Sequence, residues 1–257
     1  MLQLEKGLQE ARRPRLAFQY GRSEADVRAA QKLRWRVFAE EMGARLPSAE
    51  PGLDQDRFDA LCDHLLVRDT RTSEVVGTYR IVNAAQARQA GGFYSDGEFD
   101  LSRLAHLRDG IMEVGRACVH PDYRSGAVIA ALWSGLADYI RSHGVQYLMG
   151  CASISMADGG HAAASIYRQL RESHAAPSEW RVFPHCPLPL EKLDDGVDAE
   201  VPALIKAYLR VGAYVCGDPA WDPDFNTADC LLLLATSRMD HRYSRHFLKQ
   251  SLTENMF

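Results

Sequence analysis

Several features that announce a function are scarce in this sequence. Its six cysteines (Cys62, Cys118, Cys151, Cys186, Cys216 and Cys230) are dispersed, with no C-x-x-C pair. The nine histidines form no H-E-x-x-H pattern. No metal is therefore expected. Unpaired thiols and a charged start, Gln3-Leu4-Glu5-Lys6, that is no secretory signal imply a reduced, cytoplasmic protein. Long apolar runs are missing too. The run Cys230 to Ala235 falls far short of the roughly 20 residues that span a bilayer and suits a buried strand. Peripheral contact with the inner membrane is left open. Nor is there an excess of positive charge: 30 Lys and Arg against 34 Asp and Glu give a net charge of −4, so no nucleic-acid partner is expected and an acidic partner must be met by a local basic patch. No internal repeat is present.

What is present fits a large globular protein, since 46% hydrophobic and 25% charged content supports a real core. The expected organisation is an N-terminal tail over 1–14, a core over 15–183 and a C-terminal extension over 184–257 packed on that core. A short strand, Leu16 to Tyr20, precedes Ser23-Glu24-Ala25-Asp26, a capping-box variant that predicts a helix carrying Val27, Ala30, Leu33 and Val37, with Gly43 at its end. His64 to Asp69 and Glu74 to Val82 predict a hairpin. A strand from Met112 to Val119, a helix from about Gly126 to His143 and a strand from Val145 to Cys151 form a β-α-β unit. A further helix, about Gly160 to Glu172, leads into a segment with Pro177, Pro184, Pro187 and Pro189.

The passage from Met112 to Gly126 carries the most chemistry. An apolar strand there enters a basic, glycine-bearing turn that opens a helix, and free N–H groups at a helix start bind anions. Arg124, Ser125, Gly126 and Ala127 are thus candidates for holding a diphosphate or phosphopantetheine. Glu113 and Arg116, three apart on one strand, should face opposite sides of the sheet. A charge inside an apolar strand needs a partner.

On this framework Leu33-Arg34-Trp35-Arg36-Val37-Phe38, Asp54-Gln55-Asp56-Arg57-Phe58-Asp59, Gly77-Thr78-Tyr79-Arg80 and Glu113-Val114-Gly115-Arg116 resemble the ordered signature of acyl-homoserine-lactone synthases, which are GNAT-like acyltransferases. The runs Gly150-Cys151-Ala152-Ser153, Ile205 to Ala213 and Trp221 to Asp229 resemble a narrower branch, the L-ornithine Nα-acyltransferases of ornithine lipid synthesis. The resemblance covers about residues 15 to 248. It implies an α/β, GNAT-like mixed central sheet flanked by helices, and transfer of a 3-hydroxyacyl chain from acyl carrier protein to the α-amine of L-ornithine. No permanently bound cofactor is implied, the donor itself carrying 4'-phosphopantetheine.

The resemblance also distributes roles. Glu113 is the expected base, with ion pairing to Arg36 or Arg80 as its competing structural role. Tyr167 is the candidate acid for the leaving thiolate, or else a core tyrosine. Arg36, Asp54, Asp56, Asp59, Arg80 and Arg116 are expected around the acceptor, the aspartates facing a cationic amino acid or forming a solvated loop. Cys118, Val119, Arg124, Ser125, Gly126 and Ala127 are expected along the donor. His120 is read as a strand terminator. Carrier-protein docking beside Arg124 can draw on Arg141, Arg168 or Arg171. The competing functions are a homoserine-lactone synthase, an N-acyltransferase for another amino acid and a non-catalytic carrier-protein or lipid-binding module.

Overall fold

The structure is a computed structural model and describes residues 15–193, 196 and 198–239. The tail over 1–14 and the end of the extension lie outside the described residues. In chain order the elements are β1 (Leu16–Tyr20), α1 (Glu24–Trp35), β2 (Asp63–Asp69), β3 (Glu74–Asn83), α2 (Ala84–Ala90), β4 (Phe99–Asp100), β5 (Ile111–Val119), α3 (Ala127–His143), β6 (Tyr147–Ser155) and α4 (His161–His174). There follow β7 (Phe183–Pro184), α5 (Leu190–Leu193), α6 (Ala203–Arg210), β8 (Tyr214–Val215), β9 (Ala220–Asp222) and β10 (Thr227–Ala235).

The capping box forms as its spacing requires: Ser23 Oγ accepts from the Asp26 amide at 3.2 Å and the Asp26 carboxylate accepts from the Ser23 amide at 3.2 Å. After Trp35 the helix widens into a π-helical stretch, Arg36–Glu41, before Gly43 ends it with φ of 75°. Such a stretch rotates later side chains relative to a regular α-helix.

The main sheet runs β1-β2-β3-β5-β6-β10-β8, with β9 also on β10, while β4 and β7 form a separate pair. Every pairing is antiparallel except β5 with β6. That parallel pairing is brief, covering Ile111↔Tyr147, Met112↔Leu148 and Glu113↔Met149. Beyond it the strands splay, although β6 stays paired with β10 for its whole length, from Ala235↔Tyr147 to Thr227↔Ser155. Where they part, a Cβ on Gly150 would stand 2.4 Å from the Val114 carbonyl oxygen, so only glycine permits the approach. The segment from 184 onward completes this sheet with β8, β9 and β10. The apolar run near its end is entirely buried in β10.

The faces of the sheet carry different cores. One packs Val114, Trp133, Leu148, Ile166 and Tyr208 beneath α3, α4 and α6. The other packs Phe58, Phe93, Phe99, Met149, Leu231 and Leu233 beneath the loops around α2 and β4. A third, smaller cluster seats α1 through Ala30, Leu33, Val37 and Phe38.

Candidate active site

The splay opens a cavity of about 350 Å³ that passes through the sheet. On one side its lining includes Arg80, Tyr94, Glu113, Arg116, Cys151, Asp222 and Asp229. On the other it includes Tyr79, Val114, Leu148, Leu204, Tyr208, Leu232 and Leu234. Val37, Phe38 and Met42, delivered by the π-helical stretch, also line it.

Glu113 is 3% exposed and lies on the polar side. Its carboxylate accepts from the Tyr94 amide at 2.6 Å, the Ser95 amide at 2.9 Å and the Ser95 hydroxyl. Burial raises its pKa, opposed by the Ser95 and Tyr94 hydrogen bonds and the Arg80 charge. The competing structural role, an ion pair with Arg36 or Arg80, is not what holds it: its oxygens accept from the Tyr94–Ser95 turn.

Arg116 departs from the strand periodicity. The register steps from Arg80↔Gly115 to Thr78↔Cys118, so β5 spends one more residue than β3 over that interval. Arg116 sits in this bulge with φ of 49°, the left-handed region that a non-glycine residue seldom adopts. The bulge resets the alternation and brings Arg116 to the side that holds Glu113. Both now meet Tyr94, whose amide bonds Glu113 and whose ring lies 5.0 Å from the Arg116 guanidinium. Opposite-face placement is thereby corrected.

The aspartates are met by arginines. Asp54 pairs with Arg34 at 2.8 Å and Arg116 at 3.2 Å. Asp59 pairs with Arg34 at 2.8 Å, and Asp56 pairs with Arg80 at 2.5 Å. Three cations and three anions thus neutralise one another in a largely buried lattice. Asp54 and Asp59 lie deep in it, and neither lines the cavity. Arg34, buried at 0% exposure, is the centre that sequence reasoning passed over in favour of Arg36. Arg36 instead faces an outer groove with Asp69, Glu74, His120, Asp122, Tyr123 and Ser125, where it contacts His120. His120 does end the strand: its Nδ1 accepts from the Asp122 amide at 3.2 Å.

A second acidic group was missed altogether. Carboxyl oxygens of Glu98 and Asp229 and the sulfur of Cys151 all lie within 4.8 Å of one another. Burial pushes both carboxyls up, and for Glu98 the Asp229 charge adds to it. Burial likewise holds the Cys151 thiol well above its ordinary value. Asp229 stands immediately before an apolar run, and a carboxylate at the edge of a buried strand was the available signal. These three residues offer ligand atoms for a metal ion, as do Asp59, Cys62 and His64, although Arg34 already engages Asp59. Sequence spacing does not show the first group because folding assembles it, whereas Asp59, Cys62 and His64 stand within six residues of one another in the chain.

On the donor side Cys118, Val119 and Arg124 line the cavity. Burial raises the Cys118 thiol to about 12. Arg124 forks onto Glu41 at 2.6 and 2.7 Å, tying the turn to the end of the π-helical stretch. Gly126, with φ of 94°, caps α3, which begins at Ala127. Ser125 faces the outer groove. Tyr167 is not brought to the cavity: it sits on α4 and its hydroxyl donates to Asp218 at 2.5 Å. Of the outer arginines, Arg141 pairs with Asp138 and Arg168 with Asp198, while Arg171 lies over the Tyr167 ring.

Comparisons with known proteins bear on the fold and the family. A family model for an acetyltransferase (GNAT) domain matches residues 33–134. FeeM, an N-acyl amino acid synthase from uncultured soil microbes, is similar with a TM-score of 0.56 at 14% identity, over 93% of this chain and 99% of that one. BjaI, a CoA-dependent acyl-homoserine lactone synthase, is similar with a TM-score of 0.53 at 14% identity, over 92% of this chain and 89% of that one. Those likenesses bear on the fold. The L-ornithine N(alpha)-acyltransferase of Brucella abortus is 39% identical over 243 residues, which cover 88% of this chain and 86% of that protein. The enzyme of the same name from Rhodobacter capsulatus is 37% identical over 243 residues, covering 89% and 93%. With identity sustained over nearly the full length of both partners, the chain belongs to the L-ornithine N(alpha)-acyltransferase family, within the GNAT-like acyltransferases.

Proposed function

We infer that the protein is an N-acyltransferase that moves an acyl chain from a thioester donor onto the α-amine of ornithine. The observation that carries this reading is a single cavity with a buried carboxylate, Glu113, and side chains of both charge signs at one end and apolar walls at the other. Ornithine brings a carboxylate and two amines. Arg80 and Arg116 suit the carboxylate, and Asp222 and Asp229 suit the side-chain ammonium, with Glu98 beside Asp229. The apolar end suits the acyl chain.

In this mechanism Glu113 takes a proton from the α-ammonium. The freed amine attacks the thioester carbonyl, the C–N bond forms and the C–S bond breaks. The ammonium loses two protons in all: one ends on the departing sulfur and the other in solvent. Raising the base's proton affinity by burial favours the first transfer. Beyond Glu113 the β5 edge that faces β6 has no ladder partner, and its N–H groups suit the developing oxyanion. Tyr167 has no part in this scheme.

The donor is acyl carrier protein, its 4'-phosphopantetheine arm entering past Arg124 at the start of α3. An acidic partner would compete with Glu41 for Arg124. No helix among the described residues is long and apolar enough to cross a membrane. The reading places the enzyme in the cytoplasm, handing an amphiphilic product to the adjacent bilayer through peripheral contact. The test is mass spectrometry of products when the purified chain meets 3-hydroxyacyl carrier protein and a mixture of free amino acids. Acylated ornithine is expected. Acylation of another amino acid, or release of a lactone only when S-adenosylmethionine is supplied, would replace the reading.

A further inference from the structure

The apolar end of the cavity contains a polar feature. Tyr79, on β3, and Tyr208, on α6, hold their hydroxyl oxygens 3.0 Å apart, and both side chains line the cavity. They are 2% and 8% exposed. The walls beside them include Val114, Leu148, Leu232 and Leu234, whose side chains offer no hydrogen-bonding atom. Desolvation raises both phenols, Tyr79 to about 12 and Tyr208 well above its ordinary value, so each keeps its proton at neutral pH.

Hydrogen accounting then leaves a remainder. Two hydroxyls facing one another use one O–H between them, and the second O–H has no acceptor among the described residues. Burying a donor without an acceptor is costly, and phenylalanine at both positions would fill the same space without that cost. The place of the pair is equally specific. Tyr79 lies between Thr78 and Arg80, level with the β5 bulge, and belongs to the core on the face opposite Arg80. A chain whose thioester is attacked beside Glu113 therefore passes this pair soon after it crosses the sheet.

We propose that the Tyr79 and Tyr208 hydroxyls select acyl chains bearing a hydroxyl close to the thioester. The free phenol O–H donates to the chain's oxygen, and the chain's O–H donates back to a phenol oxygen. This inference rests on the acyl-transfer reading of the same cavity, and its test separates the two.

The full chain and its Tyr79→Phe, Tyr208→Phe and double variants are given equal amounts of 3-hydroxyacyl and unsubstituted acyl carrier protein of one chain length, with ornithine. Product ratios are read by mass spectrometry. In parallel, binding of non-hydrolysable acyl-pantetheine thioethers with and without the hydroxyl is measured by calorimetry. The native chain should prefer the hydroxylated donor by about tenfold or more, and the double variant should bring that preference close to unity, losing more with the hydroxylated donor than with the unsubstituted one. A preference unchanged in the double variant would overturn the proposal, as would an equal loss with both donors or native binding indifferent to the hydroxyl. Hydroxyl-dependent binding without any acylated ornithine would uphold the hydroxyl site and reject the acceptor assignment instead.

Discussion

At the polar end of the cavity, a wall of three arginines and three aspartates stands behind Glu113. Across the thickness of the sheet, the apolar end is walled by β-strand aliphatics and one pair of phenols. The two ends respond to damage differently. Each buried charge at the polar end is tolerable because of its partners, so a single deletion strands an opposite charge in low dielectric. At the apolar end a deletion leaves a void, with a cost set by how far neighbours relax. Chemistry is thus held in place by interdependence, and chain accommodation by volume, which can change by small steps.

The largest break in this contrast should come from Arg34→Met, which leaves Asp54 and Asp59 without their shared cation. A loss of about 3–5 kcal/mol is expected, enough to unfold much of the protein, as read by chemical denaturation. Native-like stability would mean that the lattice is not the scaffold of the polar end. Glu113→Gln should act on chemistry instead, lowering turnover by roughly 100-fold or more. Its stability effect carries a sign. Because burial raises the folded-state pKa of Glu113, this carboxyl's contribution is fully present below the unfolded value and is lost as pH rises through the folded one. Melting curves should therefore move in the variant's favour, relative to the native chain, as pH climbs from about 4 through the raised folded-state value. A difference that stays constant with pH, or that moves in favour of the native chain, would contradict a folded-state pKa above the unfolded one.

A more selective test lies in Asp229→Asn and Glu98→Gln. If these acids read the side-chain ammonium, the ornithine KM should rise about tenfold with a smaller change in kcat, the mark of binding shared by ground and transition states. Steady-state kinetics with ornithine against a neutral amino acid would show selectivity falling with affinity. Smallest should be the effect of salt at the mouth. Raising ionic strength should lower kcat/KM for carrier-protein donor a few-fold and leave an acyl-pantetheine donor nearly unchanged, since exposed charges are screened beyond about 8 Å at physiological salt. Identical salt curves for both donors would remove Arg124 from carrier docking.

The polar and apolar ends were unequally legible in the sequence. Alternation, capping residues and turn composition placed the β2–β3 hairpin, β5, α3 and β6 because those signals are local. Gly150 stood in a recognised run, as did Glu113. What escaped depended on the third dimension. One extra residue in β5 turns Arg116 onto the side of Glu113, and no periodicity reports a bulge in advance. Two apart on a helix, Arg34 and Arg36 point to different sides, and the sequence does not say which side meets the aspartates. Glu98 meets Asp229, and Tyr79 meets Tyr208, only because β10 and α6 return to strands laid down much earlier in the chain. Tyr167 illustrates the reverse error, since a helix of the right type carries it to Asp218.

The brief parallel seam between β5 and β6 has a mechanical meaning. With three register pairs holding them, β1-β2-β3-β5 and β6-β10-β8 form two plates joined at one end, and the donor arm of the proposed function would lie between them as mortar. A donor that binds only the folded chain adds about 2.7 kcal/mol of stability at a hundredfold excess over its Kd. Limited proteolysis near the seam should slow when donor is supplied, and protection absent at saturation would show that the plates need no filling.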